Sequence, residues 1–222
     1  MKNLLFTLAI FAASATTFAQ SPKFNDAMKK ALAEMDSSQT ADAFMNVANK
    51  FERIALAEKN QWLPFYYSGL ARSTGAFMTE DKSKVDAILD VAQKHANMAD
   101  SLQPNNSEIV LLKSMILGGR IMVDPMTRGM QYGMQSSMLN AQSINLDPNN
   151  PRAYFMMGQA LFYTPEQFGG GKDKGCAQLM IAKEKFATFV PASELHPTWG
   201  EDIVDETLTQ CSPSVAPPVK NE

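Results

Sequence analysis

Apolar residues recur along this chain with the period of a helix. Phe24, Ala27, Met28, Ala31, Leu32 and Met35 stand at i, i+3, i+4, i+7, i+8 and i+11, one continuous stripe that a helix must bury. Proline and asparagine supply the punctuation. Pro148 stops one helix, and Asn150 followed by Pro151 reads as the N-cap and first turn of the next; Pro104, Asn105 and Asn106 repeat the arrangement 44 residues earlier. The same reading predicts further helices over 40–59, 61–78, 82–102, 106–122, 127–146, 151–164, 173–190 and 197–210. The result is a ladder of about four antiparallel helix pairs plus a C-terminal capping helix.

Carried through the chain, the 44-residue offset aligns small residues in two columns: Ala55, Ala99, Ser143 and Ala187, then Ala48, Ala92, Ser136 and, less strictly, Met180. A third column holds large apolar residues, Tyr66, Val110 and Tyr154, with Trp199 one residue out of step. These columns resemble the tetratricopeptide repeat, most closely in Tyr154, Met157, Gly158 and Leu161 preceded by Pro148. The ordinary unit of that family is about 34 residues, so the longer period here lengthens helices or turns. The resemblance spans roughly residues 40 to 200 and implies an all-α fold, a right-handed α-α superhelix with a concave face. Mapped from the third column, the family's groove positions are Tyr67, Leu111 and Phe155, then Ala71, Met115 and Gln159, then Thr74, Gly118 and Phe162. That lining is apolar and aromatic, without the lysines and arginines with which the family clamps acidic peptide termini.

Charge and targeting narrow the function classes. Lys2 followed by the apolar run Leu4 to Ala15 and by Thr17-Phe18-Ala19 has the form of a secretory signal peptide, giving a division into leader 1–19, repeat domain 20–211 and a proline-rich tail 212–222 expected to be disordered. No cysteine follows the cleavage point, so a lipid anchor is not expected and the chain should be periplasmic or secreted, without membrane insertion. With 20 basic and 23 acidic residues and no basic block, nucleic acid is an unsuitable partner.

The two cysteines, Cys176 and Cys211, lie at equal distances from the expected turn between the last two helices, and an oxidising compartment permits their disulfide. The glycine-rich stretch Phe168 to Gly175 lacks P-loop spacing and reads as a long turn; similar turns occur in the T component of TRAP transporters, a weaker resemblance. Met122, Met126, Met130, Met134 and Met138 step by four and read as core or groove lining, with Cu(I) as the minor alternative. His95 reads as a helix-face residue and His196 as part of a turn; Glu201, Asp202, Asp205 and Glu206 read as a solvated face.

No catalytic, cofactor or metal constellation emerges. The expected function is non-enzymatic: an adaptor that binds a protein or peptide through the groove residues Tyr67, Leu111, Met115, Phe155, Gln159 and Phe162, or alternatively a periplasmic component that binds a small hydrophobic ligand beside a transporter.

Overall fold

The computed structural model describes residues 22–211, so the expected signal peptide and tail lie outside the described residues. Among the described residues there are nine α-helices, one 3-10 turn at Glu166–Phe168 and no strand. They are α1 Pro22–Asp36, α2 Ala41–Ala57, α3 Trp62–Phe77, α4 Lys82–Leu102, α5 Ser107–Ile121, α6 Pro125–Leu146, α7 Pro151–Tyr163, α8 Lys172–Phe186 and α9 Glu201–Leu208. None is long and apolar enough to cross a membrane.

The helix starts follow from local chemistry. Thr40, Asp81, Asn106, Asp124 and Asn150 each accept a hydrogen bond from a backbone N–H of the first turn, satisfying donors that the helix leaves unpaired. Pro125 and Pro151 sit in first turns, where no intrahelical N–H is needed.

Consecutive helices pack against one another as a helical solenoid, α3 on α4, α5 on α6 and α7 on α8, while α3, α5 and α7 also touch as an inner row. The small-residue columns are where they meet: Ala48, Ala55, Ala92, Ala99 and Ser143 are fully buried. Arg72–Glu52, Arg120–Asp90 and Arg128–Asp86 tie neighbouring helices together at the surface. His95, expected as a helix-face residue, lies on the buried face of α4, its ring accepting or donating at Ser68 Oγ, 3.0 Å away, and standing 3.5 Å from Glu52.

The C-terminal quarter departs from the expected boundaries. α8 ends at Phe186 instead of 190, and α9 begins at Glu201 instead of 197. Pro191 and Pro197 cannot continue a helix, and the connector they shape has its own anchors, Leu195 and Trp199, which pack into the main core. Ala187, the last member of one small-residue column, is exposed because α8 has already ended. The Cys176–Cys211 disulfide is formed, with Cα atoms 5.9 Å apart, and fastens the end of α9 to the start of α8.

Candidate functional site

The nine expected groove positions lie on α3, α5 and α7, five of them buried and four half-buried, and the connector covers one end of the row. At the covered end Tyr67, Leu111 and Phe155 are buried. The Tyr67 hydroxyl donates to the Leu195 carbonyl at 2.8 Å, and Phe155 meets the Trp199 ring edge-on at 6.2 Å, so the connector occupies the space a peptide would need there. Met115 and Gln159 remain half-buried, and Phe162 is buried against the Tyr163 ring.

Behind the connector lies a charged network that the sequence did not announce. Glu108 accepts from Arg152 Nε at 2.8 Å, from Asn150 Nδ2 at 2.8 Å and from the Tyr66 hydroxyl at 3.2 Å, and the Tyr66 oxygen in turn accepts from Trp199 Nε1 at 2.9 Å. Burial pushes the Tyr66 hydroxyl well above the ordinary tyrosine range, reinforced by the Glu108 charge, so it stays a neutral donor. The network walls a cavity of about 310 Å³ that also touches Trp62, Phe189 and His196. Burial holds the His196 imidazole below its usual pKa, keeping it neutral.

Another surface carries a row of exposed apolar side chains. Met126, Met130, Met134 and Met138 on α6 are 95%, 77%, 63% and 67% exposed, against the expectation that this row lines a core or groove. Tyr163 and Phe168, at the end of α7 and in the turn after it, are each 68% exposed. The four methionines stand one turn apart on one helix and so form a continuous apolar ridge, whereas a folded domain normally exposes such side chains singly.

One repeat earlier the methionine positions are Lys82, Asp86, Asp90 and Lys94 on α4, so the row stands on the outer face of the ladder, and the seam next to it is thinned as well. In α4, Val85 and Leu89 are buried, and Leu89 packs so closely on α5 that a Cβ at Gly119 would stand 2.9 Å from it. The residues 44 positions later on α6 are Gly129 and Gly133, at which a Cβ would meet nothing within 4 Å. Ile116, fully buried on α5, becomes the half-buried Ala160 on α7, and Gly119 becomes the exposed Tyr163. Side chains that close the seam between α4 and α5 are therefore missing between α6 and α7. Arg128, which clasps Asp86 of α4, sets the orientation: two residues either way is about 200° around a helix, so Met126 and Met130 point away from α4.

Lys172 extends over the Phe162 ring at 5.4 Å, and Lys174 donates to the Gly169 carbonyl at 3.0 Å, so two cations flank the aromatic end of this surface. The acidic residues of α9 are exposed, with Asp205 paired to Lys183. Among the described residues no cluster of His, Cys, Asp or Glu could hold a metal ion. The open seam was readable in principle, as glycines standing where the repeat column carries Val and Leu; the charged network was not, since Glu108 and Arg152 differ in type.

No family model matches the chain, and no curated protein matches it. Among solved structures it is similar to the HusA haemophore from Porphyromonas gingivalis, with a TM-score of 0.80 and 32% identity over 91% of this chain and 100% of that one. The chain belongs to the HusA haemophore family.

Proposed function

We propose that this chain is an exported haem carrier that seats the apolar macrocycle on the seam between α6 and α7. The observation that carries the reading is the exposed row Met126, Met130, Met134 and Met138 with open space over Gly129 and Gly133, together with the exposed Tyr163 at the end of α7: an apolar ridge and an aromatic face, in a relative of a haemophore. A tetrapyrrole is a rigid disc that needs both. Thioether side chains are polarizable and adapt to a flat ring, while Tyr163 offers a stacking face. The signal-like start, the formed disulfide and the haemophore relative together support export.

The groove of the tetratricopeptide-like inner row plays a supporting role in this reading. Its covered end is closed by the chain's own connector, which weakens the adaptor function expected from the sequence and favours the small-ligand alternative.

A second reading places the ligand edge in the 310 Å³ cavity, where the neutral His196 imidazole stands 5.7 Å from the Trp62 ring and could meet an iron. Titration with haemin, followed in the Soret band, tests the function; the substitution His196→Ala separates the sites. Unchanged binding by that variant supports the seam, whereas loss of binding with an altered Soret position supports the cavity. Absence of any spectral change on titrating the intact protein contradicts haem carriage.

A further inference from the structure

We infer that the methionine row of α6 is an oxidation site through which peroxide-class oxidants switch the seam from ligand-holding to ligand-releasing, an inference that rests on the haem reading above. The four are the most exposed methionines among the described residues, with Met78 next at 43%. Met126, Met130, Met134 and Met138 are 63% to 95% exposed, whereas Met28 is fully buried and Met35, Met98, Met115 and Met156 are packed against core clusters. Oxidation of methionine follows access to the sulfur, so the four are the first to react.

The step is a two-electron oxygen transfer. The thioether sulfur attacks one peroxide oxygen, the O–O bond breaks, a sulfoxide S–O bond forms, and the second oxygen leaves as water. Sulfur is oxidised and peroxide reduced. Each event turns a flexible apolar side chain into a polar one, and the four sulfurs sit one helical turn apart along a single ridge. An apolar ring resting on that ridge thereby loses its floor contacts together. The fold is spared, because α6 holds to the rest of the solenoid through other residues: Arg128 to Asp86, Ser136 and Asn140 to Ser114, and Ser143 to Ser107.

The test treats the purified protein with hydrogen peroxide, removes the oxidant, maps sulfoxides by peptide mass spectrometry and titrates with haemin. The expected result is oxygen on the four α6 methionines before Met28, unchanged helical circular dichroism, and a Kd for haemin raised about tenfold or more, restored by methionine sulfoxide reductase. The variant with all four replaced by leucine should give the same Kd before and after peroxide, whatever that Kd is. Oxidised wild type that binds haemin as tightly as untreated protein overturns the inference, as does oxidation of Met28 at the same rate as the row. If untreated protein gives no Soret change, the haem reading fails and the release with it, while the mass map alone decides whether the row is the oxidation site.

Discussion

Glu108 and Arg152 stand one repeat apart, at the second position of α5 and of α7, and they form a buried ion pair at 2.7 Å. The small-residue columns repeat residues of one kind, whereas this column joins opposite charges and so fixes the stacking of one helix pair on the next. Breaking such a pair from one side leaves a charge in the interior, a loss of about 3–5 kcal/mol. Arg152→Met or Glu108→Leu should therefore lower the urea midpoint sharply, and the double variant should lose less than the two singles combined. Additive losses would mean that the two residues are energetically independent.

The disulfide gives a second prediction. Cys176 and Cys211 close a loop across a sequence separation of 35 residues, for which chain entropy gives about 3–4 kcal/mol. Reduction, or Cys211→Ser, should release α9 and the connector first. Hydrogen exchange would register this as faster exchange confined to residues after 186, with α3 to α5 unaffected; uniform acceleration would show that the bridge stabilises the whole ladder instead.

The glycines divide into two groups with opposite responses to alanine. At Gly175 a Cβ would stand 2.6 Å from the Phe162 backbone nitrogen, so Gly175→Ala should destabilise by about 1–3 kcal/mol as the α7–α8 packing is forced apart. At Gly133 nothing lies within 4 Å, and Gly133→Ala should stabilise α6 by about 0.5–1 kcal/mol through backbone entropy alone. Thermal unfolding of the two variants checks the signs.

How legible this was in the sequence depends on what each residue had to reveal. The ladder was legible because Asn106 and Asn150 repeat in identity, the alanine and serine columns repeat in size, and helix caps act locally. The cysteine pairing was legible because a hairpin relates residues by distance from its turn. The end of α8 was misplaced, since Leu195 and Trp199 gain burial only from contacts distant in sequence, and tertiary packing overrides local periodicity there. The exposure of the methionine row was missed because a four-residue step describes a helix face without saying which way it points; the charged residues one repeat earlier, Lys82, Asp86, Asp90 and Lys94, mark that face as the outer one.

Acid should weaken the fold in a defined window. Burial is the main cause holding His95 below its ordinary value of 6.5, and burial does the same for His196. A histidine with a depressed pKa in the folded state binds fewer protons there than when unfolded, so stability is complete above the unfolded pKa and declines as pH falls below it. The urea midpoint should drop from about pH 6.5 downward, and His95→Gln should flatten that slope. A midpoint independent of pH between about 7 and 5 would contradict the placement of His95 in the core.

The central claim is that a seam opened by small residues holds the ligand, and refilling it is the most direct test. The double substitution Gly129→Val and Gly133→Leu restores on α6 the side chains that Val85 and Leu89 carry on α4. Haemin titration of this variant, with its helical circular dichroism unchanged, should show binding weakened about tenfold or more relative to wild type; a haemin affinity equal to that of wild type would contradict the account.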